Sequence, residues 1–381
     1  MTTSLCLIVK NEIDYLPGCV ASARGLADEV VIVDTGSDDG TVELARRLAD
    51  IFVEIAFAED FAAARNEALS RASGDWILFL DADERLPDAD AGQLGTYLGQ
   101  LDDHDLGVRL LRYNFFADGG FYTGRELKVF RNHRGLRYQR KINESVAPSI
   151  TAAGGRIVDA PVLLNHFGHC RSVAQRDAKA ARYLGLLDLQ LRERPGDAVL
   201  LGYQALILRT LGRFDEAIEQ SNRSIATDEE RPVVWLFRGH VLRAVGQDVE
   251  AAEAYEHGLS FDAGSAALHN ALGVQLVALA DPDRARVEFQ TARSCDPMLV
   301  HTDINLGLLA QAAENWPEAI ALFERSGARN PGFFHDEFAG RVERDPFRPF
   351  YKETILGYAG LGYHLGYCLQ RAAGRFPPSG R

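Results

Sequence analysis

Two aspartates one residue apart, Asp81 and Asp83, stand at the end of the apolar run Trp76-Ile77-Leu78-Phe79-Leu80. Hard carboxylate oxygens of this kind suit Mg²⁺ or Mn²⁺, and Mg²⁺ is typically held by one or two carboxylates together with substrate phosphates. On an extended chain, residues two apart point to one side, so the pair could share a cation or a ligand. The alternative is that these acids cap a following helix, since Leu86-Pro87-Asp88 reads as a helix start. Asp34 closes a second apolar run and is placed like the acids that bind the base or ribose of a nucleotide, although no G-x-G-x-x-G loop accompanies it. Capping of its own loop is the alternative. Arg65 carries a planar fork suited to lying across a base or pairing with phosphate, against the plainer reading of a solvated helix arginine.

The elements that must position these groups follow from the spacing of apolar runs. Continuous apolar runs at residues 5–9, 29–33, 51–56 and 76–80 read as strands buried on both faces. Helical segments at 14–25, 42–49 and 61–72 separate them, with Pro17 in the first turn of the first helix, where a missing N–H costs little. Such alternation predicts an α/β fold with a parallel, doubly wound sheet and right-handed crossovers. Ligands bind beyond the carboxyl ends of such strands, which is where Asp34, Arg65, Asp81 and Asp83 fall. Residues 106–116, 128–132 and 137–146 read as further strands, partly antiparallel, with a turn at 118–120. A last strand over 161–164 ends the first half.

Composition excludes several classes. The chain has 381 residues, 46% hydrophobic and 25% charged, which is ordinary for a soluble globular protein of two domains. A net charge of −13 argues against gripping nucleic acid, which needs a basic face. Cys6, Cys19, Cys170, Cys295 and Cys368 are scattered without a C-x-x-C pair, so neither a zinc site nor a disulfide frame is indicated. With no basic leader and no apolar run of transmembrane length, the expected compartment is cytoplasmic.

From residue 172 onward the pattern is helical and periodic. Ala217, Ala251, Ala285 and Ala319 are spaced by 34 residues, as are Ala205, Gly239, Gly273 and Gly307. A strict 34-residue period with small residues at helix crossings is the tetratricopeptide signature. Small side chains let paired helices approach, and each repeat buries its apolar face only against its neighbours. The expected boundaries are a front domain over 1–170, a connecting helix over 171–196, four repeats over 197–331, and capping helices with a frayed tail over 332–381.

Residues 5–12, the segment VVIVDTGSDDGT at 30–41, residues 60–66 and residues 75–84 resemble, in order and spacing, the family 2 glycosyltransferases of the GT-A fold. Phe57-Ala58-Glu59-Asp60-Phe61 with Arg65-Asn66 resembles the branch carrying helical repeats behind the catalytic domain, which includes bacterial peptide S-glycosyltransferases. The resemblance implies that Asp34 contacts the nucleotide base, Arg65 the nucleotide, and Asp81-Ala82-Asp83 a divalent ion bridging a sugar-nucleotide diphosphate. It implies a hexosyltransferase that inverts the anomeric carbon, with a UDP-sugar as the expected donor. An inverting transfer needs a base at the acceptor, and Glu144 in Lys141-Ile142-Asn143-Glu144-Ser145 is the candidate. The branch commonly has His-Glu there, whereas Asn143 precedes the glutamate in this chain. Asn165-His166-Phe167-Gly168-His169 resembles the family's His-aromatic-Gly element, in which the histidine, His166 in preference to His169, completes the metal site.

Three functions follow from different classes. The leading one is a glycosyltransferase acting on a peptide, glycan or lipid-linked saccharide, with the repeats binding a partner, presenting the acceptor or forming a homodimer. The second is an inactive repeat-based adaptor, which the joint presence of Asp34, Arg65, Asp81, Asp83 and Glu144 argues against. The third is a nucleotidyltransferase, which would need a glycine-rich basic loop after the first strand; Lys10-Asn11-Glu12-Ile13 is not such a loop.

Overall fold

The computed structural model describes residues 1–116, 121–140, 144–169, 173–334, 354 and 358–374. The turn expected at 118–120, residues 141–143 of the Glu144 motif, Cys170 and the tail at 376–381 lie outside the described residues. Two compact units divide the chain. One comprises Met1–Asn114 with Thr123–Gly168, and the other Phe115–Tyr122 with His169–Arg381.

The first unit is built on an eight-stranded sheet ordered β3-β2-β1-β4-β7-β6-β8-β5. Its parallel half is β1 (Thr3–Val9), β2 (Glu29–Asp34), β3 (Ile51–Glu54) and β4 (Trp76–Phe79), connected by α1 (Leu16–Ala23), α2 (Thr41–Leu48) and α3 (Phe61–Arg71). Leu5, Val31, Ile32, Ile77 and Leu78 are fully buried, as strands covered on both faces require. The other half is β5 (Glu84–Arg85), β6 (Asp105–Phe116), β7 (Phe121–Arg131) and β8 (Arg156–His169), with α4 (Asp88–Leu98) and α5 (Ala147–Ala152). β7 runs antiparallel to β4, pairing Leu78 with Val129, and β5 runs antiparallel to β8, pairing Glu84 with His166.

The described part of one expected strand does not form as such: residues 137–140 and 144–146 contribute an isolated antiparallel bridge, Gln139 with Ser145. The segment is held by a side chain instead: Asn66 on α3 donates to the Tyr138 carbonyl and accepts from the Tyr138 amide, both at 2.9 Å. With its N–H and C=O satisfied there, Tyr138 needs no sheet partner.

The second unit carries a long helix α6 (Val173–Glu193) and then four helix pairs. These are α7 (Ala198–Thr210) with α8 (Phe214–Thr227), α9 (Pro232–Ala244) with α10 (Asp248–Phe261), α11 (Ala266–Ala278) with α12 (Pro282–Cys295), and α13 (His301–Ala312) with α14 (Trp316–Arg329). α15 (Leu361–Ala372) follows. Ala217, Ala251, Ala285 and Ala319 are all fully buried. A Cβ on Gly239, Gly273 or Gly307 would meet a ring 16 residues later, Tyr255, Phe289 or Phe323, at 2.1–2.6 Å. In the first pair Ala205 stands where the others have glycine, and Ser221 stands where they have a ring. Small faces large at each crossing, and where the small residue grows the large one shrinks. Phe115 and Phe121 pack within this unit, the Phe121 ring lying 5.2 Å from that of Phe333 and 5.4 Å from that of His301. No described helix is long and apolar enough to cross a membrane.

Candidate active site

The site lies at the carboxyl ends of β2 and β4. The extended chain ends at Phe79, and residues 81–84 close a turn in which the Glu84 amide donates to the Asp81 carbonyl at 2.9 Å. The alternation of an extended strand therefore does not apply to Asp81 and Asp83, and their carboxylates meet different partners.

Asp81 is held by two cations. Its Oδ1 accepts from Arg65 at 2.9 Å, and its Oδ2 lies 3.2 Å from the Lys128 ammonium. Burial opposes ionisation of Asp81, but Lys128 and then Arg65 outweigh it and hold the carboxyl well below the usual carboxylate range. Arg65 also donates through Nε to Glu144 at 2.7 Å, so one guanidinium joins Asp81 to Glu144. α3 sets that guanidinium in place. Its N-cap Asp60 accepts from the Ala63 amide at 2.9 Å, and the guanidinium lies 4.6 Å from the Phe79 ring centroid. Burial works against the Arg65 charge, and the neighbouring Asp81, Tyr138 and Glu144 more than restore it. Asn66, next to Arg65 on α3, clamps the backbone of Tyr138.

Several participants carried no assigned role in the sequence reading. Lys128 is almost fully buried and bridges Asp81 to Glu84, its ammonium 2.7 Å from a Glu84 oxygen. Burial disfavours its charge, but Asp81 and Glu84 raise its pKa above the ordinary lysine value. Glu84 is fully buried, accepts from the Asp81 amide at 3.0 Å and pairs with Arg112 at 3.2 Å. A lysine between Leu127 and Val129-Phe130 in an apolar strand was the one available signal, because an unpaired lysine there would be untenable.

Asp83 and His166 form a second locus. β5 and β8 bring them together, with His166 Nε2 at 3.4 Å from Asp83 Oδ1. His166 Nδ1 stands 2.8 Å from Asn114 Oδ1, a contact that suits an Nδ1–H donor, and Nε2 faces Asp83. Gly168 leaves this corner open: a Cβ there would come within 2.5 Å of Asp83 Oδ2 and 2.6 Å of His166 Nε2. Cis ligands on a divalent ion at about 2.1 Å stand about 3.0–3.4 Å apart, so an oriented imidazole and a carboxylate at this spacing fit one. Among the described residues no three His, Cys, Asp or Glu side chains converge on a metal. Any ion here would complete its shell from substrate and water.

Asp34 stands apart from both loci. It is buried at the end of β2, and its Oδ1 accepts from the Gly36 and Ser37 amides at 2.8 and 2.9 Å, while Oδ2 takes the Ser37 hydroxyl at 2.5 Å. Gly36 at φ +102° makes that tight turn possible. The carboxylate shapes the loop at the end of β2.

Residues 4–160 match the family model described as glycosyl transferase family 2. The chain is 33% identical over 258 residues to a TPR repeat-containing protein of Synechococcus elongatus, covering 65% of this chain and 63% of that one. It is 24% identical over 227 residues to the SPbeta prophage-derived glycosyltransferase SunS of Bacillus subtilis, covering 59% and 53%. Over 164 residues it is 32% identical to the lipopolysaccharide core biosynthesis glycosyltransferase LpsC of Rhizobium meliloti, covering 40% and 60%. The chain thus spans between half and two thirds of the length of these relatives. Among solved structures, a thermophilic TPR protein of Thermus thermophilus aligns at 18% identity and a TM-score of 0.37, over 40% of this chain and 84% of that one. A score that low adds nothing to the helix pairs and their 34-residue period. The sheet, the order of its motifs and the family match agree: residues 4–160 form a domain that matches glycosyl transferase family 2.

Proposed function

We propose that the chain is a metal-dependent, inverting glycosyltransferase of the hexosyltransferase type. It takes a sugar from a nucleotide-sugar, a UDP-sugar in the first instance, and passes it to a peptide, glycan or lipid-linked acceptor. The observation that carries this reading is the Arg65 junction, where one guanidinium ties Asp81 on the donor side to Glu144. The assigned base is thereby fixed within one side chain of the strand ends where a nucleotide binds.

In this reading the Asp34 loop faces the nucleotide base, and Arg65 and Asp81 line the donor. Asp83 and His166 would hold Mn²⁺ or Mg²⁺, which when bound would neutralise charge on the leaving diphosphate. The contact of Asn114 Oδ1 with His166 Nδ1 would orient the imidazole for that role. Glu144 accepts the proton of the attacking acceptor group. Lys128 holds Asp81 and Glu84 in place, and Arg112 holds Glu84. The repeats bind a partner, present the acceptor or pair two copies of the chain. The compartment is cytoplasmic, in keeping with thiols at Cys6, Cys19, Cys295 and Cys368 that form no disulfide.

The test is a panel of UDP-, GDP- and dTDP-sugars assayed for transfer and slow hydrolysis, with Mn²⁺ and with chelator, on wild type and Glu144→Gln. General-base assistance is typically worth ~10²–10⁴-fold, so Glu144→Gln should lower turnover on a hydroxyl acceptor by that order while donor affinity holds. Wild-type turnover in Glu144→Gln would remove Glu144 from the mechanism, and indifference to every nucleotide-sugar would remove the reaction itself.

A further inference from the structure

Two neighbouring residues of α3 reach far along the chain to the same place. Arg65 takes the Glu144 carboxylate through Nε at 2.7 Å, 79 residues away. Asn66 takes a backbone 72 residues away: its Nδ2 donates to the Tyr138 carbonyl and its Oδ1 accepts from the Tyr138 amide, both at 2.9 Å. A primary amide serves the N–H and C=O of one residue as a strand neighbour would, and because one partner accepts and the other donates, the orientation of the amide is fixed.

Two routes of contact lead from Asn66 to Glu144, both within the described residues. The first runs along the backbone. Gln139, next to Tyr138, exchanges hydrogen bonds of 3.1 Å in each direction with Ser145, the residue that follows Glu144. The Ser145 hydroxyl also accepts from the Ala147 amide at 3.1 Å, which ties that point to the start of α5. The second route runs through the Tyr138 ring. It is buried, meets Phe79 and Phe130 edge-on with centroids 5.4 and 5.7 Å away, and lies 5.5 Å from the Arg65 guanidinium. Phe79 lies 4.6 Å from the same guanidinium. The ring whose backbone Asn66 anchors is therefore one wall of the socket from which Arg65 holds Glu144.

We propose that Asn66 is a positioning residue for sugar transfer. It sets Tyr138, and through the Tyr138 ring and the Gln139–Ser145 pair it sets the place at which Arg65 presents Glu144. This rests on the glycosyl-transfer reading, in which Glu144 is the base, and adds a residue that acts through Glu144. A catalytic group must be held within about 0.5 Å of its productive position, and a misplacement of about 1 Å can cost about 10²-fold in rate. One amide with two backbone partners supplies that constraint.

The experiment uses the full chain in four forms: wild type, Asn66→Ala, Glu144→Gln and the double variant. Each is assayed for hydrolysis of UDP-glucose with Mn²⁺, or of whichever nucleotide-sugar wild type hydrolyses best, and for its thermal midpoint. Asn66→Ala should lower hydrolysis about tenfold or more and the midpoint by about 5 °C. In the Glu144→Gln background Asn66→Ala should cost hydrolysis nothing further, because there is no base left to misplace. Glu144→Gln should shift the midpoint of wild type and leave that of Asn66→Ala unmoved, since groups in one network do not act additively. A clamp with a merely structural role would give the same losses whether residue 144 is glutamate or glutamine. Wild-type hydrolysis in Asn66→Ala overturns the proposal, and so do additive shifts of the midpoint. Asn66→Asp keeps acceptance from the Tyr138 amide and gives up the bond to the carbonyl, so it carries the same comparison if Asn66→Ala does not fold. The two readings stay separable: absence of hydrolysis from wild type removes the reaction, and the thermal comparison then still decides whether Asn66 positions Glu144.

Discussion

The sheet unit and the repeat unit solve the same problem, filling an interior, in opposite ways. The repeat unit uses one contact several times: a glycine on the first helix of a pair receives a ring from the second, at Gly239 with Tyr255, Gly273 with Phe289 and Gly307 with Phe323. Each crossing packs a small residue against a larger one and depends on its neighbours. The sheet unit instead brings charged groups together under cover, with Lys128 and Glu84 buried and Arg65 and Arg112 closing on Asp81, Glu84 and Glu144. Each of these contacts occurs once and none has a substitute. Redundancy of the first kind marks scaffolding, whereas an unrepeated buried charge cluster, costly to assemble, marks the place where chemistry is done.

That contrast can be tested by breaking each kind of contact. The largest stability effect should come from Lys128→Met, which leaves Glu84 and Asp81 short of a cation; removing one partner of a buried pair costs about 3 kcal/mol or more. Asp81 has a depressed folded-state pKa, so it contributes stability above the ordinary carboxylate range that is lost as the pH falls through its folded value. The difference between Lys128→Met and wild type should therefore be full at neutral pH and close below about pH 4, which urea titrations across pH would show. A gap that stays constant with pH would mean that charge is not what Lys128 supplies.

In the repeats, Gly273→Leu drives a side chain into Phe289, whose ring lies 2.6 Å from where the Cβ would stand. Overpacking of this kind costs about 1–3 kcal/mol, and it should leave nucleotide-sugar binding unchanged. A loss of donor binding equal to that of Lys128→Met would erase the distinction drawn between the two units.

The smallest effect has the opposite sign. The turn inside each repeat has a left-handed residue at the same 34-residue spacing, Gly212, Gly246, Ala280 and Glu314, with φ of +72°, +75°, +60° and +57°. Glycine occupies the first two, and alanine and glutamate bear the strain at the others. Ala280→Gly should stabilise the chain by about 0.5–1 kcal/mol, measurable as a rise in the thermal midpoint. A fall instead would show that the repeat tolerates the left-handed turn without cost.

Much of this was legible along the chain because it is written in local periods. Apolar runs ending at Asp34 and near Asp81 marked strands of a parallel sheet, and the 34-residue recurrence marked helix pairs, because burial imposes those periods directly on neighbouring residues. The groups that converge on the site were legible as types and not as partners. Asp81 and Asp83 looked like one bidentate feature, yet a turn after Phe79 sends the first to Arg65 and Lys128 and the second to His166. Residues 137–146 had the composition of a strand, but the Asn66 side chain satisfies the Tyr138 backbone groups that a strand would have paired.

Which segments must be buried and which repeat must stack follows from the order of apolar and small residues along the chain. Which charges meet follows from the pairing of strands far apart in it. Lys128 reaches Asp81 across 47 residues of chain because β7 pairs antiparallel to β4, and His166 reaches Asp83 because β8 pairs antiparallel to β5. Strand register is set by the packing of whole faces, and no local spacing contains it.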